Sequence, residues 1–151
     1  MAQLPDLPDD RALLWFMIRR VAGAFDRTGE RLFQRELNLS LAQFLVLSVV
    51  DAYPGDLSQQ VIADRLGLTK GTVSRQIDKA VADGLMTVAV SERTRRENKV
   101  SLTAAGTDLV RRGDALFSTA RQAGFPDISD KDMAATLRTL SKLDDWLGES
   151  R

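Results

Sequence analysis

Residues 67–86, GLTKGTVSRQIDKAVADGLM, combine a helical hydrophobic pattern with an opposite face of small and basic side chains. On a helical wheel with about 100° per residue, one side collects the apolar residues Val73, Ile77, Ala80 and Val81. The other side collects Gly71, Thr72, Arg75, Lys79 and Ala82. Glycine inside a helix costs up to about 1 kcal/mol in helix propensity. This open face therefore calls for an explanation other than packing.

A second short helix is predicted directly before this segment. Ser58 is a suitable N-cap, and Gly67 fits the left-handed position that ends a helix. Thr69 can then cap the helix of the opening segment. Two short helices joined by residues 67–69 predict a helix-turn-helix.

Two strands separated by a basic tip follow the helix-turn-helix. Residues 85–90 (LMTVAV) and 99–102 (KVSL) have the composition of strands, and residues 91–98 (SERTRREN) join them. This connection is longer than a two-residue turn, so it is expected to do more than reverse the chain. The tip region carries four cations within seven residues: Arg93, Arg95, Arg96 and Lys99. A hairpin of this kind attached to a helix-turn-helix predicts a winged helix.

Long helices are predicted on both sides of the winged helix. The first runs from about Asp9 to Leu37, and a second, capped by Ser40, ends near Ala52. Gln43 is expected to return a hydrogen bond to Ser40 and complete a capping box. Thr103 is expected to cap a fifth helix that runs to about residue 123, and a sixth starts near residue 129. The predicted fold class is mainly α (α+β).

Composition excludes several kinds of chemistry. The 151 residues include no cysteine and no histidine, so disulfides, thiolate metal sites and nucleophilic Cys-His or Ser-His systems are impossible. The sequence has no phosphate-binding glycine loop, and adjacent acidic pairs on a helix diverge. We therefore expect no enzymatic activity, no cofactor and no metal site. Nothing in the sequence suggests export or a membrane partner, so a cytoplasmic location is expected.

Charge is distributed unevenly along the chain. The formal net charge is zero, yet residues 64–99 contain eight cations and five acids, an excess of three cations. Residues 127–151 contain six acids and four cations. A neutral total therefore conceals a locally basic region, which fits a polyanionic partner better than the total charge suggests.

Double-stranded DNA is the partner that this pattern favours. A helix with a small outer surface can enter the major groove, about 12 Å wide, where Arg75 can donate two hydrogen bonds to guanine. Lys70, beside the free N–H groups of a helix start, suits a phosphate, and wing arginines suit the minor groove. The predicted DNA contacts are Ser58, Thr69, Lys70, Gly71, Thr72, Ser74, Arg75, Lys79, Arg93, Arg95, Arg96 and Lys99.

Two other interpretations stay open. The outer face of the helix could be an ordinary solvated face with one arginine and one lysine. The protein could also be a winged helix that binds another protein and not DNA, for which an apolar recognition helix would be expected.

The order of elements resembles the MarR family of bacterial transcriptional regulators. The resemblance rests on residues 57–86 (LSQQVIADRLGLTKGTVSRQIDKAVADGLM), on residues 95–106 (RRENKVSLTAAG) and on the long helices at both ends. It implies a homodimer, most often a repressor, whose two winged helices read a palindromic operator. The family usually has an aspartate before the two wing arginines. Thr94 occupies that place here, and Glu92 or Glu97 could replace the aspartate in orienting Arg96.

The resemblance also implies a domain plan and an effector. The plan is a flexible arm (1–8), an N-terminal dimerisation helix (9–37), a winged helix-turn-helix (38–102, wing 85–102) and C-terminal dimerisation helices (103–151). Many relatives respond to a small aromatic or phenolic compound. Five residues are candidates for its pocket: Trp15, Phe16, Arg19, Phe44 and Phe117. The alternative is that the aromatic residues are plain core and Arg19 lies on the surface.

Overall fold

The part of the chain that the structure describes contains six helices and one two-stranded antiparallel sheet. The computed structural model describes residues 9–53, 55, 57–90, 98–124 and 126–149. The elements are α1 (Asp10–Leu37), α2 (Leu41–Ala52), α3 (Gln59–Leu66), α4 (Lys70–Ala82), β1 (Met86–Val90), β2 (Asn98–Leu102), α5 (Ala104–Gly124) and α6 (Asp130–Glu149). The predicted mainly α architecture with a helix-turn-helix and a hairpin is confirmed. The predicted arm, residues 1–8, lies outside the described residues.

The chain divides into two compact units, residues 1–115 and residues 116–151. The first contains α1 to α4, the hairpin and the first half of α5, and it holds the buried core. The second contains the end of α5 and all of α6. No helix among the described residues is both long enough and apolar enough to cross a membrane.

Polar side chains start the helices where the sequence predicts them. At each predicted cap, the side-chain oxygen accepts a hydrogen bond from the amide three residues later, over 3.1–3.2 Å. The four caps are Ser40, Ser58, Thr69 and Thr103. Gly67 has φ 62° and ends α3 in the left-handed conformation. These local signals therefore fix the turn between α3 and α4.

Of the two hydrogen bonds in the capping box predicted at Ser40, only one forms. Ser40 accepts the hydrogen bond from the Gln43 amide, but the Gln43 side chain does not return one. Its amide nitrogen, Nε2, donates to Asp83 Oδ2 at the end of α4, over 3.1 Å. Gln43 is fully buried, so its side chain faces the α2–α4 packing and not the helix start.

A continuous apolar core joins α1 to α5 within the first unit. Phe33 of α1 and Phe44 of α2 pack with ring centroids 4.3 Å apart. Ile62 from α3 and Met86 from β1 are buried in the same unit, and Val100 of β2 is paired with Val88 of β1. The winged helix therefore shares its core with α1 and the first half of α5.

The predicted apolar stripe of α4 is confirmed at three positions and wrong at one. Val73, Ile77 and Ala80 are at most 1% exposed, whereas Val81 is 40% exposed. On the wheel, the three buried residues span about 60° of arc, and Val81 lies about 40° beyond its edge. The contact with α2 and α3 is narrower than the apolar side of the helix.

Gly106 lies where α5 crosses the strand connection. A Cβ atom at this position would overlap the carbonyl oxygen of Leu85. That same carbonyl accepts a hydrogen bond from the Thr103 amide over 3.0 Å, so it cannot move freely. Close backbone approach therefore requires glycine here.

We expect Gly106→Ala to lower the free energy of unfolding by at least about 2 kcal/mol, because a methyl group would collide with backbone and not with a flexible side chain. Urea unfolding, followed by circular dichroism at fixed protein concentration, measures this change. Gly71→Ala is the matched control. A Cβ there would meet only Thr69 Oγ1 at 4.0 Å, so that variant should be more stable by about 0.5–1 kcal/mol. Equal stability of Gly106→Ala and the wild-type protein would contradict this role of Gly106.

Candidate nucleic-acid interface

The outer face of α4 is small and basic, as the wheel predicts. Gly71, Arg75, Lys79 and Ala82 are exposed, while the opposite stripe is buried. None of these four carries a large apolar side chain. The face can therefore approach a partner closely and carries cations at Arg75 and Lys79.

Gly71 has no packing reason to be glycine. The nearest heavy atom to a Cβ built there is Thr69 Oγ1, at 4.0 Å. The backbone is helical, so no left-handed conformation demands glycine either. This contrasts with Gly106, where the chain itself fills the space. Glycine at position 71 therefore leaves space on the outer surface of α4, where a partner could approach the helix backbone.

The first turn of α4 combines a cation with free amides. Thr69 caps the helix through the Thr72 amide, and the two hydroxyls lie 2.9 Å apart. Thr72 is consequently half-buried and partly engaged in the cap, and Ser74 is also half-buried. Lys70 is exposed beside the first amides of the helix, which have no intrahelical acceptor. This end of α4 is suited to an anion such as a phosphate.

The far end of α4 carries a polar network that the sequence analysis did not anticipate. Lys79 Nζ donates to Asp83 Oδ2 over 2.8 Å, and Gln43 Nε2 donates to the same oxygen over 3.1 Å. The hydrogen bond from Lys79, followed by the one from Gln43, lowers the pKa of the Asp83 carboxyl group. The ion pair could have been predicted from its i,i+4 spacing. The partnership with Gln43 could not, because the residues are 40 positions apart.

The wing base is firmly attached to the helix-turn-helix. β1 pairs with β2 in the register Met86↔Leu102 and Val88↔Val100. The Thr103 hydroxyl donates to the Gly84 carbonyl over 2.7 Å, which ties the end of the wing to the end of α4. Lys99 of β2 is exposed.

The wing tip, residues 91–97, lies outside the described residues. The predicted contacts Arg93, Arg95 and Arg96 belong to this segment, as do Glu92, Thr94 and Glu97, so their roles stay predictions. Ser58, the remaining predicted DNA contact, is half-buried and serves as the N-cap of α3.

The five residues predicted for an effector pocket have different environments. Phe44 is 2% exposed and belongs to the core, in contact with Phe33. Trp15 is 59% exposed, Arg19 is also exposed, and Phe16 is half-buried. Phe117, half-buried, belongs to the second unit. These residues therefore differ in exposure, and their role in an effector pocket stays a prediction.

A cleft of about 530 Å³ lies elsewhere in the first unit, beside α1 and α2. Leu41, Leu45 and Leu68 supply apolar surface, and Arg27 and Arg31 supply charge. Asp26, Glu30 and Ala42 complete its lining. None of the five predicted pocket residues lines this cleft.

Comparisons with known proteins agree with this geometry. A sequence model of the MarR family matches residues 37–97, which contain the helix-turn-helix and the first strand of the wing. The fold is similar to that of a MarR/EmrR family transcriptional regulator from Acinetobacter sp. ADP1. The TM-score is 0.80 at 20% identity, over 90% of this chain and 95% of that one.

Two further structures carry partners. The MepR–DNA complex from S. aureus has a TM-score of 0.78 at 18% identity, covering 92% of this chain and 99% of that one. CouR from Rhodococcus jostii RHA1, bound to p-coumaroyl-CoA, has a TM-score of 0.77 at 21% identity, covering 92% and 94%. At these identities the structures establish the shared fold, and the family model matches the segment that contains the helix-turn-helix and the first strand of the wing. The chain is therefore similar to the MarR family in sequence over residues 37–97 and in fold over about nine-tenths of its length.

Proposed function

We propose that the protein is a sequence-specific DNA-binding transcriptional regulator, acting in the cytoplasm as a dimeric repressor on a palindromic operator. The observation that carries the proposal is the outer face of α4. Its glycine has no internal packing partner, and Arg75 and Lys79 are exposed on the same face. A small, basic, solvent-facing helix is what the DNA major groove admits.

The proposed docking assigns a different task to each part of the site. Lys70 and the first amides of α4 bind a phosphate and set the position of the helix. Arg75 reads a guanine edge, with Gly71 allowing the backbone to come close. The wing arginines enter the neighbouring minor groove. The S. aureus MepR–DNA complex, a protein of the same fold, supports DNA as the partner.

A winged helix that binds a protein and not DNA is the second candidate. Such a module would present apolar side chains on α4, because protein interfaces have an apolar centre. Among its exposed residues, only Val81 is large and apolar, and it lies at the edge of the buried stripe. This face therefore favours DNA. Because the MarR family is a family of transcription regulators, we propose no enzymatic activity.

Dimerisation is supported by apolar side chains that one chain leaves in solvent. α1 exposes four of them, namely Leu14, Trp15, Val21 and Phe25. In the second unit, α6 exposes four more, namely Leu137, Leu140, Trp146 and Leu147. Exposed apolar surface of this extent on two helices is typical of an interface between subunits. We propose that α1, α5 and α6 form it, and that the domain plan given by the sequence holds.

Release by a small aromatic or phenolic effector is part of the proposal. CouR, which shares the fold, is described with p-coumaroyl-CoA bound. In this chain the cleft of α1 and α2 is a second candidate for the effector, beside the five predicted residues. The leucines of that cleft suit a ring, and Arg27 or Arg31 suits a carboxylate.

We expect Arg75→Ala to weaken binding to the operator by about 1–3 kcal/mol and to relax specificity at one base pair, because a bidentate contact is lost. Arg96→Ala should weaken binding more evenly across sequences and remove a preference for A·T flanks. Fluorescence anisotropy with an operator selected from random duplexes, and with a scrambled duplex, separates the two effects. An equal loss on both duplexes for Arg75→Ala would contradict a base-reading role.

Sedimentation equilibrium tests the dimer. The wild-type protein should sediment at twice the 16.7 kDa of one chain. Leu137→Asp should raise the dimer dissociation constant at least about a hundredfold, since each dimer would bury two charges in apolar surface. Val61→Asp, at an exposed residue of α3 outside the proposed interface, is the control and should leave the mass unchanged. A monomeric wild-type protein at micromolar concentration would contradict the proposal.

A further inference from the structure

Asp83 carries its charge at the unfavourable end of a helix. It is the C-cap residue of α4, and its backbone amide donates to the Lys79 and Val81 carbonyls. The carbonyl end of a helix is its negative pole, so a carboxylate there is destabilising unless cations or donors surround it. For the helix alone, a neutral asparagine would be the better residue.

A buried amide holds this carboxylate in place. Gln43 is 0% exposed, and its Nε2 donates to Asp83 Oδ2. Its Oε1 is also buried and has no hydrogen-bond partner among the described residues. Leaving a buried acceptor unpaired is costly. The side-chain oxygen of an asparagine at position 83 could also accept from Nε2, so this hydrogen bond does not require a carboxylate.

The negative charge of the Asp83 carboxylate forms an ion pair with Lys79. Its ammonium lies 2.8 Å from Asp83 Oδ2, on the face of α4 that we assign to DNA. Lys79 therefore enters any encounter with a duplex already paired with an anion. The pair is exposed, with 57% and 42% of the two side chains accessible, so its attraction is weak enough for a phosphate to displace.

We propose that Asp83, fixed by the buried amide of Gln43, competes with DNA phosphate for Lys79 and so limits the affinity of the protein for DNA. This inference rests on the proposed function. Because phosphate contacts carry no sequence information, the competition lowers affinity for operator and unrelated DNA by a similar factor. It thereby reduces retention on unrelated DNA without altering the bases that are read.

Asp83→Asn tests the competition directly. It removes the charge, keeps the side-chain shape and leaves Lys79 available to the duplex. We expect binding about two- to fivefold tighter on operator and scrambled duplexes alike, the range that an exposed ion pair supplies. The slope of log affinity against log salt should steepen by up to about one counterion. Asp83→Ser, which is also neutral and can accept from Gln43, should act in the same direction.

A double-mutant cycle with Lys79→Gln identifies the partner. In that background Asp83→Asn should change affinity by less than about 1.5-fold, because no ammonium is left to release. Asp78→Asn is the control for charge alone. It removes one exposed carboxylate from the same helix, and its effect should be the same with and without Lys79.

The outcomes distinguish this inference from the proposed function. If the wild-type protein binds DNA as tightly as Asp83→Asn and Asp83→Ser, or more tightly, the inference is overturned and the proposed function stands. So would a gain of equal size in the Lys79→Gln background, which would reveal a general charge effect. Absence of binding to any duplex at low ionic strength, for the wild-type protein and all variants, would overturn the proposed function and this inference with it.

Discussion

Burial of three side chains fixes the rotation of α4, and with it everything that the helix presents to solvent. Val73, Ile77 and Ala80 are at most 1% exposed where α4 packs with α2 and α3. Burying an Ile or Val side chain contributes about 1.5–3 kcal/mol relative to leaving it in water. Turning the helix by about 180° would expose this stripe and drive Arg75 toward the core, which would add the cost of burying a charge. Gly71, Arg75 and Lys79 face outward because the opposite side is the only one that can be buried.

The two ends of α4 are held by different means. At its start, Thr69 forms a local cap and leaves the neighbouring amides and Lys70 available to an anion. At its end, the anchor is not local: Asp83 is bound by Gln43 from α2, and the Thr103 hydroxyl reaches the Gly84 carbonyl. The helix is therefore open to a ligand at one end and tied to the rest of the winged helix at the other. Such an arrangement fixes α4 in place and keeps its N-terminal end accessible, as the proposed reading of bases and binding of phosphate require.

Local signals made most of the fold predictable from the sequence. The caps at Ser58 and Thr69 and the left-handed Gly67 depend on atoms within a few residues, and all three are confirmed. Predictions failed where the partner is distant along the chain. The periodic pattern of α2 shows that Gln43 lies near other helices, but it cannot show that Asp83 is within reach. Hydrogen bonds between elements depend on packing, which no single segment specifies.

The same difference between local and distant determinants applies to the candidate site. The outer face of α4 could be predicted, because it is the complement of an apolar stripe in one helix. The exposure of the predicted effector residues could not, because aromatic spacing alone does not distinguish Phe44 in the core from Trp15 in solvent. Their role in a pocket stays a prediction. For Gly71 the two sources of information complement each other. The sequence shows a glycine in the first turn of a helix, and the structure shows that no contact within the first unit excludes a side chain there.

Amide hydrogen exchange in the first turn of α4 tests the central claim most directly, since Lys70 and Gly71 have amides without intrahelical acceptors. Exchange at these two amides is measured by NMR in the free protein and in a complex with the selected operator. Direct binding of a phosphate at this helix start predicts at least about tenfold slower exchange in the complex. The first-turn amides of α6, at Asp130 and Lys131, should be unaffected. A stable complex in which Lys70 and Gly71 exchange as fast as in the free protein would contradict the account.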